Sequence, residues 1–360
     1  MRGLVLRSSG SWKLLGEVGL IFLIALLPRL YGIGLFLTAD EKNWMGRGVN
    51  FVQAVQEFHF NETFQTTHPG IPTLWIAGVS ARGVSRLQDI PFRGEFLHVF
   101  TSNTQYVFAV LTSLLIAALF LSLRRLAHPW IARIAACAIA LDPFLLGYSK
   151  VVHVDALLAL CAAVSFLLFL AAVRERESPL HSTTSAALVW SSIMGALAIL
   201  SKLPGLILLP MAALVLFAHR AAWRREELRE RVRLYGQWIV VMGATILLLW
   251  PGILWVPDPI GNVKTVRRDV EVAVTTSHNT SDVYSDVLLH YPRTILTRTT
   301  IPTLVGVAIF VGMAVFFRRA VLPNVSGMPY RTLLFLGAYV VLFTIGMTFG
   351  SKKGDRYLLP

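Results

Sequence analysis

ALLALCAAVSFLLFLAAV, residues 156–173, carries no charge; Asp155 stands before it and Arg174 after it. A helix that crosses the hydrocarbon core of a membrane needs about 20 predominantly apolar residues, and this run is of that kind. Working outward, comparable stretches open the chain at Val18–Leu37 and continue at Tyr106–Leu123 and Ile134–Leu146. Beyond it come Ala186–Leu200, Leu203–Ala218, Trp238–Val256, Ile301–Phe317 and Leu333–Phe349. The pattern predicts an all-α, polytopic membrane protein of about nine spans. Composition agrees: 55% of the 360 residues are apolar and 15% charged, with a mean hydropathy of +0.63. A soluble domain carries about 25% charged residues to solvate its surface. Soluble enzyme, disordered tail and disulfide scaffold are therefore poor fits, and Cys137 and Cys161, both inside apolar runs, make no framework. The third stretch ends at Asp142-Pro143, so its outer end is expected to unwind. The fifth and sixth are parted only by Ser201-Lys202, which reads as a tight helical hairpin. No small-residue cleavage site follows the first, so it reads as a span and not a cleaved signal.

A net charge of +13 raises nucleic acid as a partner in a soluble protein. Here the basic residues form short clusters between apolar runs, with no single stripe, so membrane lipids are expected and nucleic acid is not. Arg2/Arg7/Lys13, Arg124/Arg125/Arg133, Arg174/Arg176, Arg220 to Arg233 and Arg318/Arg319/Arg331 fall on alternate sides of successive spans. By the positive-inside rule that face is cytoplasmic. Two long segments, 38–105 and 257–300, then face the exterior of a single membrane domain. In the first, Trp44, Gly48, Phe51, Val55 and Phe58 recur at helical spacing. A second pattern, Ile71, Leu74, Trp75 and Gly78, begins with Pro72 in its first turn. Both read as helices lying in the membrane interface.

Charges near a membrane are costly and each needs a reason. Thr38-Ala-Asp40-Glu41 has the spacing of a capping box, in which Glu41 reaches back to the helix start. Asp40, about 100° away around the axis, is not used by that box; it is either a dipole partner or a functional carboxylate. Asp155 opens the fourth span within Ser149-Lys150-Val-Val-His153-Val-Asp155, where it pairs with Lys150, starts the helix or serves a site. His153 alone reads as a satisfied polar group, and His68 before Pro69-Gly70 as part of a turn. Lys202, Lys352, Lys353 and Arg356 are cations on the outer face, suited to holding an anion or to snorkelling. No His/Asp/Glu spacing makes a metal cage, and no phosphate loop, nucleophile elbow or zincin pair is present. No cofactor is expected; metal dependence stays open. Carboxylates and cations on one face fit acid/base work on a hydroxyl beside a phosphate leaving group.

The order of these motifs resembles the GT-C membrane glycosyltransferases, in particular the protein O-mannosyltransferase and aminoarabinose transferase type (glycosyltransferase family 39). Thr-Ala-Asp40-Glu41 is similar to the family's acidic motif. Thr67-His68-Pro69-Gly70 stands at its His-Pro-Pro segment, with Gly70 in place of the second proline. Gly147-Tyr-Ser-Lys150 through Asp155-Ala-Leu-Leu158 resembles the run to its second aspartate, with Lys150 where arginine is common. Ser201-Lys202-Leu-Pro204 resembles its lysine-proline hairpin, and Lys353-Gly-Asp-Arg356-Tyr357 its arginine-tyrosine segment. The resemblance implies a GT-C helical bundle and a sugar moved from a polyprenyl-phosphate donor to a hydroxyl of a protein, lipid or glycan. It places the reaction outside the plasma (inner) membrane, in the cell envelope, by inverting displacement. It implies catalytic roles for Asp40 and Asp155, with Glu41 as acidic-motif partner. Lys150, Lys202, Lys352, Lys353 and Arg356 are implied to bind the donor phosphate. Arg47, His68 and His153 are implied to position the acceptor or the loop. Further helices are implied beyond Pro360. The rival class, a transporter or lipid carrier, would more naturally show repeated halves, and no such repeat is present.

Because the arginine clusters alternate, Arg229 is expected inside, with Asn61 and His278 outside. Cysteine labelling from outside should modify positions 61 and 278 and spare 229; the reverse pattern would invert the orientation.

Overall fold

A computed structural model describes residues 6–66, 69–176, 186–218, 225–255, 290–301, 304–306, 308, 312 and 328–349. These residues are helical with no strand among them. α1 is Leu6–Leu30, α2 Ala39–Gln56, α3 Ile71–Gln88, α4 Leu97–Leu126, α5 Pro129–Leu141, α6 Pro143–Ser149 and α7 Asp155–Arg176. After these come α8 Ala186–Ser201, α9 Leu208–Phe217, α10 Arg225–Leu249, α11 His290–Arg298 and α12 Tyr330–Phe349. Short 3₁₀ turns at Phe60–Thr63, Gly94–Phe96, Leu203–Ile207 and Pro251–Trp255 join them. By length and composition, Gly94–Leu126, Asp155–Glu175 and Arg225–Leu249 are each apolar enough to cross a membrane, and the bent α5–α6 pair makes a fourth. The expected all-α membrane architecture is thus present. The shorter apolar segments are Ala186–Ser201, Leu203–Phe217 and Tyr330–Ile345, and the predicted span Ile301–Phe317 lies mostly outside the described residues.

Element limits differ from the apolar runs for physical reasons. α1 ends at Leu30, before Leu37, because Gly32 and Gly34 turn the chain at φ 74° and 77°, a region glycine enters without steric cost. α4 has 30 residues, about 45 Å of helix, and a hydrocarbon core is about 30 Å thick. Its first turns therefore project from the bundle. Four of its hydroxyls are satisfied within the helix: Thr101, Thr104, Thr112 and Ser113 each donate to the carbonyl four residues back. The span predicted at Ile134–Leu146 is broken at Asp142, but its outer end does not unwind: the chain continues there as the helix α6. α5 and α6 meet at 62°, and the Asp142 carboxylate caps the second helix through the Leu145 amide at 2.9 Å. The orphan carbonyl of Ala140 at that break accepts from Arg29 Nη1 at 2.9 Å. Arg29 is fully buried, and no carboxylate among the described residues pairs with it.

Two cores result. One lies within the bundle, where Phe120, Phe169, Met211 and Trp238 are buried between α4, α7, α8, α9 and α10. The other joins α2 and α3 to the projecting end of α4 and to the ends of α7, α8 and α10, through Trp44, Phe51, Ile71, Leu74, Phe100, Leu157, Leu200 and Trp250. α2 and α3 thus form a roof over one end. Phe58, expected on the buried face of the first roof helix, is instead exposed at φ 58°, because α2 has already stopped at Gln56. Arg124, Arg125 and Arg133 lie at the opposite end: Glu17 pairs with both Arg124 and Arg133, and Arg125 with Glu175. From Asp155 to Glu175, α7 covers about 30 Å between the two ends.

The roof depends on two glycines. A β-carbon on Gly48 would stand 2.7 Å from that of Ala77, and one on Gly78 would overlap the Gly48 carbonyl. Gly78→Ala should lower stability in detergent by about 1–3 kcal/mol, read as a lower midpoint of thermal unfolding. Gly83→Ala on the same helix, where a β-carbon meets nothing within 4 Å, should not lower that midpoint and should raise it slightly, alanine being the better helix former.

Candidate active site

The capping box expected at Thr38 is present: the Glu41 amide donates to Thr38 Oγ1, and Glu41 Oε2 accepts from the Thr38 amide at 2.8 Å. That uses only one carboxylate oxygen. The other, Oε1, accepts from Gln105 Nε2 at 2.8 Å and from the Val152 amide at 3.0 Å. Glu41 is fully buried, and this one carboxylate joins the start of α2, the middle of α4 and the strand of chain that leads into α7. Gln105 in turn accepts from the Gly34 amide at 3.0 Å, which fixes the exit of α1.

With Glu41 turned inward, Asp40 faces the other way. Its carboxylate is 46% exposed, and Oδ2 lies 3.5 Å from His153 Nε2. On the far side of the same ring, Nδ1 lies 3.1 Å from Asp155 Oδ2. Asp155 Oδ1 accepts from Lys202 Nζ at 2.8 Å. Three segments distant in sequence thus form one file of four residues: Asp40, His153 with Asp155, and Lys202. Nδ1 also lies 3.4 Å from the Asp155 amide. The two contacts ask opposite things of Nδ1, a proton for the carboxylate and a lone pair for the amide. The shorter, charge-assisted one is the stronger, and we assign the Nδ1 proton to it, directed at Asp155. Asp155 itself is 2% exposed. A carboxylate so buried is tolerated only when paired, and Lys202 together with the N-terminus of α7 meets that need.

Local sequence explains each placement. Lys202 leaves α8 in extended conformation, φ −164° and ψ 147°. Gly205 lets the following 3₁₀ turn press on the Ala198 backbone, where a β-carbon would stand 2.7 Å from the Ala198 carbonyl carbon. Gly70 caps α3 at φ 60°, its amide donates to the Ser201 carbonyl at 3.2 Å, and a β-carbon there would enter the Trp44 ring. Proline, held near φ −65°, cannot adopt that conformation. The departure from a second proline thus follows from Trp44, whose ring meets that of His153 edge-on at 6.0 Å between centroids. Arg47 lies 5.6 Å over the same indole.

Of the residues singled out in the sequence, contacts bring together Asp40, Glu41, His153, Asp155 and Lys202, with Arg47 joined through Trp44. Lys150 is directed to α1, donating to the Tyr31 carbonyl at 2.6 Å rather than to Asp155. His68, Lys352, Lys353 and Arg356 lie outside the described residues. Gln105 and Trp44 were not foreseen as parts of the site. The one signal for Gln105 is that it is the last strongly polar side chain before the run Tyr106–Leu123.

Helices long and apolar enough to cross a membrane, closed at one end over paired carboxylates and a lysine, agree with a membrane glycosyltransferase of GT-C type. Residues 98–255 match the family model of dolichyl-phosphate-mannose-protein mannosyltransferase, which supports a GT-C glycosyltransferase and hence an enzyme. The match takes in His153, Asp155 and Lys202; Asp40 and Glu41 lie before it and are joined to it by the contacts above. No curated protein and no solved structure matches the chain.

The capping box alone suggests that glutamine replaces Glu41 at little cost, but the second oxygen alters that expectation. Whichever way its amide is turned, the NH₂ group of Glu41→Gln faces a backbone donor, Thr38 N–H or Val152 N–H. Leaving such a group unsatisfied costs about 1–3 kcal/mol. Glu41→Gln should therefore lower the unfolding midpoint in detergent, and an unchanged midpoint would count against this network.

Proposed function

We propose that the chain moves a hexose or pentose from a polyprenyl-phosphate donor to a hydroxyl of a protein, lipid or glycan acceptor. The observation that carries this reading is the file Asp40–His153–Asp155–Lys202. It is assembled from three distant segments at one end of the bundle, and nothing local brings Asp40 or Lys202 to the pair His153 and Asp155. Lysine and arginine in short loops mark the cytoplasmic side; Arg124, Arg125 and Arg133 lie at the far end, so in this reading the file faces outward from the plasma (inner) membrane. On that side nucleotide sugars are absent, and a lipid-linked donor supplies the sugar.

In this reading Asp40, the exposed member of the file, takes the acceptor hydroxyl proton as general base. The acceptor oxygen attacks the anomeric carbon as its bond to phosphate breaks. The electron pair leaves on a polyprenyl phosphate monoester, and the anomeric centre is inverted without a covalent intermediate. Asp155 orients the Lys202 ammonium, a cation for the developing phosphate charge. Lys150, Lys352, Lys353 and Arg356 are further phosphate partners, and Arg47 and His68 position the acceptor loop. Glu41 holds the elements together and takes no part in proton transfer.

The test is to incubate purified protein with polyprenyl-phosphate sugars and measure release of free polyprenyl phosphate. Asp40→Asn should lower that release by about 10²–10⁴-fold, the usual worth of a general base, with expression and thermal midpoint intact. Equal release by wild type and Asp40→Asn would remove Asp40 from the chemistry.

A further inference from the structure

A general base that takes a proton must pass it on, and Asp40 has an imidazole behind it. Its Oδ2 faces His153 Nε2 at 3.5 Å, while Nδ1 of the same ring is engaged by Asp155 Oδ2 at 3.1 Å. With Nδ1–H donated to Asp155, a neutral ring presents its Nε2 lone pair to Asp40. The ring cannot turn away freely: it is almost fully buried, and the Trp44 indole closes on it edge-first. The backbone one residue earlier is fixed by the Val152 amide on Glu41. The charged groups on this ring are Asp40 from α2 and Asp155 from α7. Lys202, at the end of α8, reaches the other oxygen of Asp155. Glu41 and Arg47 complete the surroundings, one through the Val152 amide and the other across Trp44.

We infer that His153 stores, by way of Asp40, the proton that leaves the acceptor hydroxyl. The inference rests on the glycosyl-transfer reading and deepens it. The acceptor O–H bond breaks and its proton moves to the Asp40 carboxylate. The new bond from oxygen to the anomeric carbon forms as the bond from that carbon to phosphate oxygen breaks, its electron pair leaving with the phosphate. Asp40, now a carboxylic acid, gives the proton to Nε2 and is again a carboxylate. The imidazolium lies between two carboxylates, one of them already paired with Lys202. With a neutral imidazole the file carries one net negative charge; with imidazolium it is neutral. After the products leave, the proton returns through Asp40, the member of the file most open to water. Because His153 works through Asp40 and does not touch substrate, it is a positioning residue.

The experiment follows polyprenyl phosphate release against pH for the full chain, His153→Gln and Asp40→Asn. In His153→Gln, kcat should fall about 10–100-fold with the KM for donor within about twofold, as expected when a proton-transfer partner is removed. The pH profile of His153→Gln should differ in shape from that of the wild type. His153→Ala with added imidazole is the second variant, and its rate should rise with the concentration of imidazole base. A fall in rate with the pH profile unchanged in shape and no rescue by imidazole would overturn the inference while leaving glycosyl transfer standing. A wild type that releases no polyprenyl phosphate from any donor would overturn both.

Discussion

The arrangement depends on one buried carboxylate. Glu41 accepts from Thr38, Gln105 and Val152 and so ties α2, α4 and the approach to α7 at a single point. A charge taken out of water is costly unless every lone pair is occupied, and this cost makes the junction specific. A shift of any of the three elements leaves either the carboxylate or a backbone amide without its partner. The junction also divides the labour of the acidic pair. Because Glu41 is drawn inward, its neighbour, about 100° around the helix, faces the opening. Asp40 owes its exposure to the burial of Glu41.

The file beyond Asp40 follows a gradient of exposure. Asp40 is half open, while His153, Asp155 and Lys202 are buried. Electrostatic interactions strengthen as water is excluded, so the inner pair is fixed and the outer carboxylate remains available. Removing Lys202 would leave Asp155 uncompensated in the interior. Loss of activity on its substitution would therefore mix folding with chemistry, which makes Asp40 and His153 the clearer probes.

Much of this was legible in the residues. The all-α membrane architecture followed from the apolar runs, the roof helices from helical spacing, and the break at Asp142-Pro143 from proline after a capping residue. Element limits were less legible, since hydropathy marks what sits in lipid and not where a helix stops. α10 begins at Arg225, in charged sequence, well before the apolar run at Trp238. The split between Asp40 and Glu41 was readable from the capping-box spacing alone. The partners of the second Glu41 oxygen lie 64 and 111 positions away, and no local pattern encodes such pairings. His153 was undervalued for the same reason: a lone histidine acquires meaning only when Asp40 arrives from another element.

Arg29 carries a consequence for biogenesis. The Ala140 carbonyl that receives its guanidinium follows 111 residues later in the chain. At about 5–20 residues per second of synthesis, roughly 5 to 20 seconds pass between the two reaching the translocon. Arg29 lies in the last turn of α1, and an arginine inside a span is costly until it is paired or reaches the headgroups. Until α5 is made its guanidinium has the Ala25 carbonyl of its own helix and lacks that of Ala140. The seating of α1 against α5 is therefore ordered in time and follows synthesis of the fifth helix.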